Sequence, residues 1–222
     1  MVRFSVEQWA AWSPGLPNKQ SWLEWVEAGQ DTLPVGEALP ALAEMPAAMQ
    51  RRADKLGRAA LQSAYWCDDE PDPSCPLVFA SRYGEMQRSV ELLEQLAAGE
   101  PLSPATFSVS VHNAVGALLS IARGQAGNYT AIAAGEETVE AAFSEALGLL
   151  GDGAPAVTVV YTMRRCPRRT TAFPERAKPC MPGPAAFGSR MQADSVCNPN
   201  SRPPGLSITV RLPPIWRFCA FC

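Results

Sequence analysis

Histidine occurs once in the 222 residues, at position 112. A multi-histidine metal site, and any mechanism that needs two imidazoles, is thereby excluded. The pair His112-Asn113 stands where a helix is predicted to begin, so capping or packing accounts for it without catalysis. The chain has no Gly-x-Ser-x-Gly elbow, no Gly-x-x-x-x-Gly-Lys phosphate loop and no Gly-x-Gly-x-x-Gly dinucleotide turn. Nucleotide hydrolysis and hydride transfer therefore have no support, and no cofactor is implied. Cys67 and Cys75 have no histidine or cation beside them in sequence to activate a thiolate, and they read as packing residues. Glu136 and Glu137 sit at the start of a predicted helix, where its dipole favours negative charge. Arg51, Lys55 and Arg58 form a basic stripe, either a solvated face or a dock for an acidic partner. Asn128-Tyr129-Thr130 matches a glycosylation sequon, but no secretory signal accompanies it and it falls at a strand start.

The elements that must position these residues alternate in type. Val2 to Val6 alternates like a half-buried strand, and Trp9, Trp12, Trp22 and Trp25 follow at near-helical spacings. Met49, Ala53, Leu56, Ala60 and Ala64 predict one long helix over about 46–66, with Arg51, Lys55 and Arg58 on its other face. The run 77–80 suits a strand buried on both faces, and a helix should follow over 85–98, closed by Gly99. A further helix is expected to end at Arg123-Gly124, a strand to occupy 129–134, a helix to run to about 150, and a last strand to fill 157–161. This order argues for an α/β sheet with some parallel pairing and helical cover.

Charge divides the chain after Tyr161. Residues 1–161 hold 9 Lys+Arg against 20 Asp+Glu, a net −11, whereas 162–222 hold 10 against 2, a net +8. The second part also carries 10 of the 21 prolines and 5 of the 7 cysteines. No apolar run nears the roughly 20 residues that span a bilayer, and the first residues lack a signal-peptide pattern, so a cytoplasmic location is expected.

Several long stretches resemble one family. They are Pro101-Leu102-Ser103-Pro104-Ala105-Thr106-Phe107-Ser108-Val109-Ser110-Val111-His112-Asn113-Ala114-Val115-Gly116, then Ser120-Ile121-Ala122-Arg123-Gly124, and Ala133-Ala134-Gly135-Glu136-Glu137-Thr138. With Arg3-Phe4-Ser5-Val6, Met49-Gln50-Arg51-Arg52 and Phe79-Ala80-Ser81-Arg82-Tyr83-Gly84-Glu85, they resemble the β-ketoacyl synthase-like N-terminal domain of chain-length-factor proteins from aryl polyene and related polyketide or fatty-acid clusters. The resemblance spans about residues 2–161. It implies an α/β, thiolase-like fold: one βαβαβαββ half of the sandwich that a condensing enzyme builds from two, a layered sheet covered by helices.

In active members of the family a nucleophilic cysteine follows the strand equivalent to 129–134, at a helix start that lowers its pKa. Here that position falls on Gly135 or Glu136, and neither can attack a thioester. The two histidines that active members draw from a C-terminal half have no counterpart after His112. The resemblance therefore implies a non-catalytic chain-length-factor-like subunit that pairs with a ketosynthase. Its expected interface residues are His112, Asn113, Tyr129, Thr130, Ala131 and Ile132. An acidic acyl carrier protein would dock at Arg51, Lys55 and Arg58. The alternatives are an active β-ketoacyl synthase component, or a stand-alone α/β module whose basic tail binds nucleic acid or metal.

For that tail, Cys166, Cys180, Cys197, Cys219 and Cys222 offer one ligand-like spacing, Cys219 to Cys222, with no second close pair and no histidine, so neither zinc nor specific nucleic-acid recognition is expected. Codons read across their boundaries allow Thr162 to Pro167 to encode Asp-Glu-Ala-Leu-Pro, and Cys180 to Pro184 to encode His-Ala-Trp-Ala, as relatives do at these points. A frameshift near Tyr161 is the resulting expectation. Residues 162–222 should then be mostly disordered, apart from a strand-like alternation at 206–212.

Overall fold

A computed structural model describes residues 4–30, 32–68, 72–163 and 185–193. In chain order the elements are β1 (Phe4–Trp12), α1 (Lys19–Glu27), α2 (Ala47–Gln50), α3 (Lys55–Cys67), β2 (Leu77–Ser81), α4 (Met86–Ala97) and α5 (Pro104–Ser108). Then come α6 (Ala114–Arg123), β3 (Tyr129–Ile132), a 3-10 turn (Gly135–Glu137), α7 (Thr138–Gly151), β4 (Val157–Met163) and β5 (Ala185–Ala193). The five strands form one sheet in the order β1-β5-β4-β2-β3. β2 runs parallel to both β3 and β4, while β5 is antiparallel to both β4 and β1.

Strand alternation sends side chains into two layers. Leu77, Phe79, Val160 and Ala186 face α3 and α6, packing on Ala60, Leu61, Ala64 and Leu119. Val78, Ala80, Val157, Val159 and Met191 face α7, packing on Ala142, Ala146 and Leu150. On the same side, Trp22 and Trp25 of α1 cover the end of β5, with the Phe187 ring 4.9 Å from Trp22. Asn18 starts α1 with a capping box: its side chain accepts from the Ser21 amide while the Ser21 hydroxyl accepts from the Asn18 amide. The small residues of α3 let it lie close to the sheet. A Cβ on Gly188 would stand 2.8 Å from Cys67 Sγ and 2.9 Å from the Ser63 carbonyl, so only glycine fits there.

Trp9 and Trp12 lie on β1, and Trp22 and Trp25 on α1. Two sequence expectations need correction. The single helix over 46–66 is two, because Asp54 caps α3 by accepting from the Gly57 amide at 2.6 Å and so stops α2 from continuing. The periodicity survives the break, since Met49 and Ala53 still pack against the same core. The stretch after Ser103 forms α5, with Ser103 as its cap and Pro104 in its first turn. Lastly, β5 falls inside the segment expected to be disordered and occupies the slot between β1 and β4. Charge, proline and cysteine summed over 61 residues concealed nine that contain no proline and one charge. The expectation for 206–212 lies outside the described residues.

Candidate functional site

The turn after β3 is the one that the sequence resemblance singles out. Gly135 takes a left-handed φ of +60°. Thr138 Oγ1 donates to the Gly135 carbonyl at 2.7 Å and accepts from the Ala134 amide at 3.1 Å, which closes the turn. A Cβ on Gly135 would meet nothing within 4 Å, so space for a side chain exists. A non-glycine residue there would nonetheless carry backbone strain of about 1–3 kcal/mol. Glu136, the alternative position, lies 3.9 Å from the Arg82 guanidinium as an ion pair. Neither residue offers a thiol or hydroxyl to a thioester.

His112, Asn113 and β3 do come together. His112 Nε2 is 3.4 Å from the carbonyl of Ile132, the last residue of β3. The ring rests on Gly84, whose φ is +53° and where a Cβ would stand 2.5 Å from Nδ1. Asn113 occupies the N-cap of α6 without making a side-chain cap bond, so of capping and packing it is packing that holds, and its amide reaches the Tyr129 hydroxyl at 3.5 Å. Tyr129 in turn packs on Gly116, where a Cβ would come within 2.6 Å of the ring. His112 also borders a cavity at the carboxyl ends of β2 and β4, walled by Phe79, Val115, Ser81, Glu85 and Thr162, with room for about one water molecule.

Tyr129, Thr130, Ala131 and Ile132 are half-buried, and among the described strands β3 pairs with β2 alone. It therefore forms one edge of the sheet, and β1 forms the other. The two edges differ. β1 has a register break between Val6 and Gln8, Lys19 stacked 4.7 Å over Trp9, and the Gln8 amide donating to the Trp66 carbonyl. β3 has no bulge, proline or charge, the devices that normally discourage strand pairing.

The basic stripe is not one face, because α2 ends before α3 begins. Lys55 pairs with Glu37, holding that carboxyl below its usual range. Arg58 donates to the carbonyls of Pro40 at 3.0 Å, and of Ala41 and Gln50 at 3.4 Å each, pinning the loop before α2. Arg51 remains exposed, as does Arg52, whose carbonyl accepts from Arg88 at 2.9 Å.

Cys67 and Cys75 are buried free thiols, as packing residues should be, and burial pushes the Cys67 thiol up to about 12. Nearby is a polar cluster that sequence reading missed. Asp68, 4% exposed, accepts from Arg123 at 3.1 Å and from Arg190 at 2.6 Å. It ties α6 and β5 to the end of α3, and nothing in the spacing of 68, 123 and 190 announces it. Among the described residues no three His, Cys, Asp or Glu side chains gather as a metal-binding set. Cys166, Cys180, Cys197, Cys219 and Cys222 lie outside those residues.

A mixed sheet of this order with helices on both faces matches the thiolase-like fold of solved ketosynthase structures. The family model described as "Beta-ketoacyl synthase, N-terminal domain" matches residues 22–203, and the chain belongs to that family. Among solved structures it is similar to a ketosynthase in complex with its chain length factor (ApeO with ApeC) from Xenorhabdus doucetiae, at 23% identity and TM-score 0.74, covering 86% of this chain and 79% of that one. It is similar to the ishigamide ketosynthase/chain length factor at 16% identity and TM-score 0.68, covering 88% of this chain and 63% of that one. A beta-ketoacyl synthase from Burkholderia phymatum matches at 12% identity and TM-score 0.64, over 87% and 60% of the respective chains. No curated protein matches in sequence. No helix among the described residues is long and apolar enough to cross a membrane.

Proposed function

We propose that this β-ketoacyl synthase-like chain is a non-catalytic, chain-length-factor-like subunit that pairs with a ketosynthase in polyketide or fatty-acid synthesis of the aryl polyene type. What supports the reading is the turn after β3, where Gly135 and Glu136 hold the positions that the family resemblance gives to a nucleophile. The unguarded β3 edge, flanked by His112 and Asn113, supports strand pairing with the partner, since an open edge offers unpaired amides and carbonyls. Arg51 and Arg52 are the basic side chains best placed for an acidic carrier protein, because Lys55 and Arg58 already have partners in the chain.

The test combines the purified chain with a ketosynthase taken from a ketosynthase/chain-length-factor pair and a malonyl-loaded carrier protein. The chain alone should release no carbon dioxide and take no acyl label, while adding it to the ketosynthase should change product length. Acyl labelling of the chain by itself would support the alternative, an active synthase component.

A further inference from the structure

Five of the eight large apolar residues exposed among the described residues fall between positions 93 and 111: Leu93, Leu96, Leu102, Phe107 and Val111. They belong to α4, α5 and their flanking loops. α4 is unusual among the longer helices, for only Leu92 of its 12 residues is buried, and it packs chiefly on α5 instead of the sheet. Leu93 and Phe107 are 63% and 62% exposed, far more than a satisfied helical hairpin requires. The surface leads directly into His112 and Asn113, whose side chains touch the two ends of β3.

Charge restricts what can cover it. Between Arg88 and Arg123 there is no lysine or arginine, and the acids are Glu91, Glu94 and Glu100. Two copies of this chain meeting through the hairpin would bring acidic rims together, which costs affinity and selects against the pair. We infer that the α4–α5 hairpin is the surface that makes the partner a different subunit, docking an apolar face rimmed with lysine and arginine on the ketosynthase. This rests on the partner reading above and extends it from the β3 edge to a surface that sets specificity by charge.

The experiment titrates the full chain against a ketosynthase taken from a ketosynthase/chain-length-factor pair, from low to high salt, with light scattering to fix stoichiometry. Leu96→Ser/Phe107→Ser and Glu91→Lys/Glu100→Lys change exposed side chains, so unaltered thermal unfolding will show that both variants fold. Each should raise Kd at least tenfold at low salt, and the charge variant should also lose the salt dependence of the wild type. Wild-type binding by both variants, with loss of binding by Ala131→Lys on β3, would overturn the hairpin inference and leave the partner reading standing. A wild-type chain that ignores the ketosynthase would overturn both. So would a homodimer with slowed amide exchange over 93–111, because a second copy would then be the occupant.

Discussion

Gly84 and His112 are coupled by contact. A methyl at position 84 would stand 2.5 Å from Nδ1 and would force a left-handed φ on an alanine. Gly84→Ala should therefore cost about 1–3 kcal/mol in urea unfolding and shift the amide resonances of β3, because the ring that must move touches the Ile132 carbonyl. Cys67 offers a check on burial. Its thiol is pushed up to about 12 in the fold, against roughly 8.5 in an unfolded chain. Between those values the unfolded chain has lost the proton and the folded chain has kept it. This group's contribution thus declines as pH rises above about 8.5, by up to about 1.4 kcal/mol per pH unit, and is constant below. Unfolding at pH 8 and pH 10 should show a steeper decline for the wild type than for Cys67→Ala.

At the scale of elements, sequence periodicity located β2, β4, α4, α6 and α7 closely, because each has a dominant face or a glycine stop such as Gly99 or Gly124. It merged α2 and α3, since packing against one core imposes the same spacing on a broken helix as on a continuous one. It overlooked β5, whose small residues serve close approach to α3 and make no hydrophobic pattern of their own. The seam between α3, α6 and β5 is closed by Asp68. Asp68→Ala would leave Arg123, 5% exposed, without its counter-charge, and should destabilise the chain by about 3–5 kcal/mol in chemical denaturation. A loss below about 1 kcal/mol would mean that Arg123 finds solvent once released. Of the candidate site, the sequence grouped His112 and Asn113 with the strand 129–132, and the structure brings them together. The basic stripe was not, because the partners of Lys55 and Arg58 come from the loop before α2.

For the whole molecule, the break in charge at position 161 is not a break in structure: β4 runs through it to Met163, and β5 returns to the sheet at 185. Among the described strands β1 has no neighbour except β5. A chain ending at Met163 should therefore lose β1 together with β5, uncover Trp22 where Phe187 packs, and forfeit cooperative unfolding and its near-ultraviolet tryptophan signal. A sharp transition retained by that fragment would show that β1 docks without β5. Resequencing across codons 160–167 will decide the frameshift separately.

Sequence alone determined the α/β alternation, most element positions, the identity of Gly135 and Glu136 after β3 and the single histidine. These are properties of residue identity and local period. Only the tertiary structure decided that β3 lies at an edge of the described sheet, that Lys55 and Arg58 are already paired, that Asp68 gathers arginines from positions 123 and 190, and that a strand from the basic segment lies inside the sheet. Each depends on contacts between residues far apart in the chain, where packing and charge neutralisation choose the partner and no local pattern records the choice.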